Sequence, residues 1–177
     1  TDWNIYSPVW APVSLEDQWL KLQDKDPFDY AKVERKIPAS KELKVSFDLK
    51  AGQNNKGTLQ IEFLDENGIA CSRIELTDDG IFRLKGGSRF ANMMKYEAGK
   101  VYHVEAVLST VDRNIQVYVD GKRVGLRMFY APVAAVERIV FRTGVPRTFP
   151  TVDTPADQTY DLPNAGAQDP LAEYGIA

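Results

Sequence analysis

The sequence contains one cysteine, Cys71, and one histidine, His103, among its 177 residues. A lone cysteine cannot form a disulfide within the chain, so cysteine usage gives no indication of the redox compartment. One cysteine and one histidine are also too few for the usual zinc sites, which draw most of their ligands from these two residue types. The composition therefore argues against a disulfide scaffold and against a Cys/His zinc site on this chain alone.

Long apolar runs are missing as well. No stretch approaches the roughly 20 apolar residues that a membrane helix requires, so we expect no membrane partner. No segment has the charged start and apolar centre of a signal peptide. The chain begins at Thr1 without a methionine, and we therefore expect a processed protein or an excised domain.

Positive charge is not in excess, because 22 lysines and arginines stand against 25 aspartates and glutamates, for a net charge of −3. General nucleic-acid binders are usually basic, so this balance argues against a nucleic-acid partner. The chain is 44% hydrophobic, and its mean hydropathy is −0.34. At this length, such a composition indicates a globular domain with a sizeable core.

Helical periodicity is also absent, and alternation with a period of two takes its place. In NIQVYVDGKRVG, residues 114–125, Ile115, Val117 and Val119 alternate with polar residues and Tyr118, as in a strand with one buried face. Asp120-Gly121 suits a two-residue type I′ turn, in which both residues need positive φ. The stretch therefore predicts a β-hairpin.

Similar alternating segments recur roughly every 10 residues with turn signals between them, which is typical of an antiparallel β-sandwich. We predict an all-β fold of two packed antiparallel sheets in which one face of each strand is buried. The residues predicted to lie between the sheets are Leu43, Val45, Phe47, Leu59, Ile61, Phe63, Val104, Ala106, Ile115, Val117, Val119, Ile139 and Phe141.

The simplest domain organisation is one domain over residues 1–177. Residues 1–17 are predicted to be irregular and partly extended, and SLEDQW could alternatively start a short helix capped by Ser14. Residues 145–170 are rich in Pro, Asp, Thr and Ala and predict a long loop. Residues 171–177 are a candidate last strand. Residues 86–90, GGSRF, predict a loop between strands at the sheet edge, since no helix follows to form a phosphate site.

Residues 96–125, YEAGKVYHVEAVLSTVDRNIQVYVDGKRVG, resemble the core of a concanavalin A-like, laminin-G-like jelly roll. Such domains often run an "aGkwyhv" strand into an "i.vYvDGk.v" hairpin; here Val101 stands where tryptophan is common. The resemblance covers most of residues 42–144 and implies a jelly-roll β-sandwich. It says little about function, because the superfamily includes lectins, adhesion modules, glycosidases and lyases.

Two further stretches, LQDKDPFDYAKVERKIP and LDENGIACSRIEL, are similar to lectin-like domains appended to bacterial polysaccharide-degrading enzymes. That resemblance implies a non-catalytic carbohydrate-binding or structural accessory domain beside a catalytic domain. It also implies a secreted, periplasmic or cell-surface location and a polysaccharide or oligosaccharide partner.

The outward positions of the central strands carry the candidate ligand-binding residues, which are Arg73, Arg83, His103, Glu105, Tyr118, Arg138 and Arg142. If several lie on the concave sheet, they form a platform of hydrogen-bond donors with an aromatic ring. Guanidinium groups pair bidentately with planar anions, so the arginines favour an acidic sugar. The alternative is a solvated outer face, or one packed on a neighbouring domain.

Two enzymatic alternatives use the same residue types. His103 with Tyr118 suits the acid–base chemistry of a jelly-roll polysaccharide lyase. Glu62 with Glu105 could flank a glycosidic bond in a glycoside hydrolase. Neither set lies in a recognised strand motif, so we expect no catalytic residue on this chain. A protein–protein adhesion module is the remaining alternative.

DKDPFD places Asp24, Asp26 and Asp29 close together, and calcium is the candidate cofactor, because Ca²⁺ prefers carboxylate oxygens. The EF-hand spacing is not met. A turn capped by aspartate side chains explains the same residues equally well. Near the start of the chain, Trp3, Tyr6 and Trp10 either stack on sugars or hold the terminal segment against the sandwich or an adjacent domain.

Overall fold

The structure is a computed structural model that describes residues 3–144, 152–153 and 170–177. Within them the chain forms the strands β1 (Trp3–Tyr6), β2 (Val13–Glu16), β3 (Trp19–Asp24), β4 (Lys32–Ser40), β5 (Glu42–Ala51), β6 (Leu59–Leu64), β7 (Ala70–Leu76), β8 (Ile81–Gly86), β9 (Arg89–Lys95), β10 (Val101–Ser109), β11 (Asn114–Val119), β12 (Lys122–Met128), β13 (Val136–Thr143) and β14 (Ala172–Ile176). No helix occurs in this part of the chain.

The strands form two antiparallel sheets of seven strands each. The first sheet has the order β1-β4-β13-β6-β7-β8-β9, and the second has the order β12-β11-β10-β5-β14-β3-β2. One continuous apolar core lies between them. The predicted fold, a two-sheet jelly-roll β-sandwich, is confirmed.

The core confirms the predicted strand register. Eleven of the thirteen residues expected between the sheets are buried, and the other two, Leu43 and Val45, are half-buried and pack against the same core. Phe47 and Phe141 meet edge to face across the two sheets with ring centroids 5.0 Å apart. Because a slip of one residue would reverse every side chain, this burial fixes which side chains point outward.

Two local predictions need correction. Residues 1–17 contain β1 and β2, which agrees with a partly extended segment, but Ser14 lies in a strand rather than capping a helix. Asp17 and Gln18 adopt positive φ values of 48° and 69° and form the tight turn into β3 without a glycine. The predicted loop after β8 is only the turn at Gly87-Ser88, because Arg89 and Phe90 already belong to the edge strand β9, whose half-buried side chains hide the alternating pattern.

The last strand, β14, is confirmed, and it pairs with β3 and β5 inside the second sheet. Most of the predicted loop over residues 145–170 lies outside the described residues. Among those described, no helix is long and apolar enough to cross a membrane.

The two lateral sides of the sandwich differ in how closely the two sheets approach each other. On one side β12 packs against β8 and β9, and a Cβ atom at Gly125 would lie 2.6 Å from the sulfur of Met93, so the sheets approach closely there. On the other side the edge strands are β1 and β2, each of four residues. Short edge strands limit the row of backbone groups that a sheet edge leaves unpaired.

The β11–β12 hairpin gives a direct test of the turn assignment. Asp120 and Gly121 have φ values of 50° and 79°, as a type I′ turn requires. We expect Gly121→Val to destabilise the fold by about 1 to 3 kcal/mol, because a β-branched residue resists positive φ. A Cβ atom there would meet nothing within 4 Å, so the loss of stability would come from backbone strain alone.

Thermal unfolding of Gly121→Val beside Lys122→Val checks this expectation, since Lys122 is an exposed strand residue that tolerates valine. Equal melting temperatures for the two variants would contradict the assigned turn.

Candidate functional site

The seven candidate ligand-binding residues do not form one platform. Arg73, Arg83, Arg138 and Arg142 lie on the outer face of the first sheet, whereas His103, Glu105 and Tyr118 lie on the outer face of the second. The two outer faces point away from each other because the inner faces enclose the core. The seven residues are therefore divided four to three between two faces, and each face has to be considered separately.

On the first sheet, directly paired residues form two transverse rows, which we call the polar floor. The first row runs Lys32, Arg142, Gln60, Glu75 and Arg83 across β4, β13, β6, β7 and β8. The second row runs Glu34, Val140, Glu62, Arg73 and Lys85 across the same strands. Strand pairing alone thus brings acids, amides and bases from distant parts of the sequence into contact.

The middle of the polar floor is buried although it is on the outside of the sandwich. Gln60 and Glu62 are 0% exposed, Glu75 is 2% exposed and Arg73 is 6% exposed. An ionised carboxylate is stable at such a depth only with a charged or hydrogen-bonding partner. Arg73 supplies one to Glu62 at 3.3 Å, and Arg83 pairs with Glu75.

Three aromatic rings stand over the cations of the polar floor. Tyr30 covers the guanidinium of Arg142, with 3.7 Å between its ring centroid and Cζ, and Phe90 covers that of Arg83 at 4.2 Å. Tyr130 lies 4.8 Å from the ammonium of Lys85. Contacts between cations and ring faces restrict the side chains, so the positive groups have fixed positions.

The cations outnumber the acids on this face. The paired outward positions of β4, β13, β6, β7 and β8 carry Lys32, Lys36, Arg73, Arg83, Lys85, Arg138 and Arg142 against Glu34, Glu62 and Glu75. Seven cations less three acids leave four positive charges in excess, although the whole sequence carries −3. Burial, and then the nearby charge of Arg73, lower the pKa of Lys85. The face therefore favours an anion.

Arg138 lies at one end of the polar floor beside an apolar patch. It donates a hydrogen bond to the carbonyl oxygen of Glu66 and lies 3.8 Å from the carboxylate of Glu34. The patch consists of Leu64, Ala70, Val140 and Tyr130. Polar and apolar groups thus meet here, as they do in sites that bind the two sides of a sugar ring.

On the second sheet, the candidate residues form pairs that are exposed or half-buried. His103 Nδ1 lies 2.7 Å from the Asp48 carboxylate, and Glu105 lies 2.8 Å from the Lys44 ammonium. Tyr118 donates a hydrogen bond to the side chain of Gln116. These pairs stand on a solvated face, which is the alternative that the sequence left open for this surface.

The proposed glycosidase pair, Glu62 with Glu105, is wrong. Glu62 faces outward from the first sheet and Glu105 from the second. Packed sheets are about 10 Å apart, and side chains on their outer faces are farther apart still, which is too far to flank one glycosidic bond.

The predicted calcium ligands serve mainly as caps of a turn. Asp24 Oδ1 accepts a hydrogen bond from the amide of Asp26, and Asp26 Oδ1 accepts hydrogen bonds from the amides of Phe28 and Asp29. No group of three or more His, Cys, Asp or Glu side chains is arranged for a metal ion among the described residues. This geometry favours the turn alternative over the calcium site.

The N-terminal aromatic residues mostly hold their segment against the sandwich. Trp3 packs against the core and lies under the guanidinium of Arg35 at 5.4 Å. Tyr6 stacks on Tyr30, with centroids 5.1 Å apart, and donates a hydrogen bond to Asp29. Tyr6 thereby supports the ring that covers one end of the polar floor.

Sequence reasoning placed Glu75 and Lys85 on an outward polar face, but it left Gln60 out of the candidate set and missed all three covering rings. Strand alternation placed Gln60 outward but gave no sign that it is buried. Tyr30 and Tyr130 lie outside the regular strands, so no periodic signal could assign them to this face.

The Glu62–Arg73 pair gives a test of this architecture. We expect Arg73→Met to destabilise the fold by about 3 to 5 kcal/mol, because it leaves a buried carboxylate without its guanidinium. Lys44→Met, which removes one partner of the exposed Glu105 pair, should cost no more than about 1 kcal/mol. Urea unfolding measures the loss of stability in both variants. Equal losses would contradict the burial of the Glu62–Arg73 pair.

The sequence matches the family model described as "Sialidase-like, CBM domain" over residues 3–158. A solved structure named "Sialidase" is 88% identical, with a TM-score of 0.89; the match covers 99% of this chain and 16% of that chain. The comparison with curated proteins gave no match.

Distant structures share the fold alone. A structure titled "Prominent members of the human gut microbiota express endo-acting O-glycanases to initiate mucin breakdown" has a TM-score of 0.63 at 12% identity, over 98% of this chain and 88% of that one. The carbohydrate recognition domain of Emp47p has a TM-score of 0.57 at 12% identity, over 99% of this chain and 86% of that one. Together with the family match, they confirm the predicted lectin-like jelly roll. The chain belongs to the Sialidase-like, CBM domain family and is therefore a carbohydrate-binding module.

Proposed function

We propose that this module binds an acidic glycan, ending in a sialic acid, on the polar floor of the first sheet. The observation that carries the proposal is the row in which Arg142 and Arg83, each covered by an aromatic ring, stand at either side of the buried Gln60 and Glu75. Fixed guanidinium groups next to rings provide partners for a carboxylate and for the C–H face of a sugar.

The buried and exposed members of the floor have different roles. Arg73 is nearly inaccessible and positions its neighbours, whereas the side chain of Arg83 is 34% exposed and can reach a ligand. Arg142 is half-buried and lies three strands away along the same row. At about 4.8 Å between strands, the Cα atoms of the two arginines are about 14 Å apart along the sheet, which favours an oligosaccharide over one sugar ring.

Sialic acid is the acidic sugar that the relative favours. The 88% identical structure is named a sialidase, an enzyme class that acts on sialylated glycans, and this chain spans only 16% of it. We therefore propose that the module serves a larger secreted glycosidase, tethering it to sialylated chains while bond cleavage occurs on another domain. The exposed His103–Asp48 pair on the opposite face has no role in this binding.

Binding on such an open face should be weak and sensitive to salt. We expect calorimetry to detect 3′-sialyllactose but not lactose, with affinity falling as the salt rises from about 0.1 to 1 M and the Debye length shrinks from about 10 to 3 Å. Arg142→Ala should weaken binding about 10- to 100-fold, the loss typical of a charged hydrogen bond. Arg123→Ala, which removes the same charge from the exposed edge of the second sheet, is the matched control.

Equal binding of lactose and sialyllactose, or equal affinities for the two variants, would overturn the acidic-glycan proposal. A parallel reducing-sugar and free sialic acid assay tests the non-catalytic part. Product release that is lost in His103→Ala would place catalysis on this chain and contradict that part.

A further inference from the structure

The open side of the sandwich contains a second surface feature, an apolar groove of about 790 Å³. It lies between the edge strands β1 and β2, where the two sheets are not closed against each other. Twelve of its sixteen lining residues are apolar, including Trp3, Leu20, Ile37 and Val45. Protein interiors are normally close-packed, so an apolar opening of this size is a candidate binding surface rather than ordinary core.

Large apolar side chains at the mouth of the groove are exposed. Leu15 is 71% exposed and Ile5 is 55% exposed, although both lie in strands. Contiguous exposed apolar surface is typical of a contact with another protein surface. The charged groups in the lining already have partners, because Arg35 stacks on Trp3 and Lys44 pairs with Glu105. The groove thus suits an apolar occupant and not an acidic sugar.

We propose that a neighbouring domain of the same polypeptide docks into this groove through one or two of its own large apolar side chains. We call this surface the open-side groove. The proposal rests on the accessory-domain part of the proposed function. Trp3 and Ala177, the described residues nearest the two ends of the chain, both line the groove. Both described ends of the chain therefore lie beside the groove.

The length of the relative supports the same occupant. The 88% identical sialidase contains this region as only 16% of its chain, so most of that polypeptide is available to pack here. Tethering gives a linked domain an effective concentration in the millimolar range for short linkers, so even a small apolar contact would be occupied. Docking at this side would leave the outer face of the first sheet, with the polar floor, open to a glycan.

Hydrogen exchange tests the docking directly. The 177-residue chain is compared with the longer chain of the sialidase structure, which contains a region 88% identical to it, and exchange is followed at the amides of β1 and β2. We expect at least tenfold slower exchange there in the longer chain, because docking covers both edge strands. The edge strand β12, on the opposite side, is the internal control and should exchange equally in both. Equal rates at β1 and β2 would overturn the proposal.

Sedimentation of the isolated chain separates a linked domain from a second copy. We expect a monomer for the native chain and for the variants Leu15→Glu and Val111→Glu, two changes at positions that are each 71% exposed. A dimer that Leu15→Glu dissociates and Val111→Glu preserves would assign the groove to a second copy and overturn the proposal.

Glycan calorimetry on the same variants distinguishes the failure of this proposal from failure of the glycan site. Leu15→Glu should leave the affinity for sialyllactose unchanged, because Leu15 lines the open-side groove and not the polar floor. Loss of glycan binding in Leu15→Glu would contradict the separation of the two surfaces. Protected β1 and β2 in a protein that binds no glycan would refute the proposed ligand while supporting the docking.

Discussion

Two buried carboxylates determine the arrangement of the polar floor. Glu62 and Glu75 are almost inaccessible on what is nominally the outside of the sandwich, and each pairs with an arginine on a neighbouring strand. The cost of burying these charges is offset only while the guanidiniums stay in place. The same constraint that stabilises the carboxylates therefore fixes the cations, and the covering rings of Tyr30, Phe90 and Tyr130 restrict them further.

The division of polar residues between two opposite faces follows from the sandwich itself. Each strand contributes one set of side chains to the common core, so its other set must point away from the opposing sheet. Arg142 and His103 both alternate correctly with core residues, yet they end on opposite sides of the molecule. One face is a buried, ring-covered and cationic surface, and the other is a solvated set of exposed pairs such as His103–Asp48.

Period-two alternation was sufficient to predict the strands, the core and the Asp120-Gly121 turn, because burial of one face is a local property of each strand. It could not predict which strands share a sheet, since that depends on long-range pairing such as β13 with β6. For this reason Arg73 and Tyr118, which were both candidates for one binding surface, lie on opposite faces of the sandwich. The glycine-free turn at Asp17-Gln18 and the edge strand β9 lacked the usual local signals.

The central claim is that the polar floor, and not the opposite face, is the glycan-binding surface. Amide chemical-shift mapping by NMR, with 3′-sialyllactose added to the isotope-labelled chain, tests it without any mutation. We expect shifts concentrated on β6, β7, β8 and β13 and in the loops carrying Tyr30 and Tyr130. The amide resonances of β10 and β11 should stay unchanged. Shifts centred on His103 and Tyr118, with the amides around Glu62 and Glu75 unchanged, would contradict it.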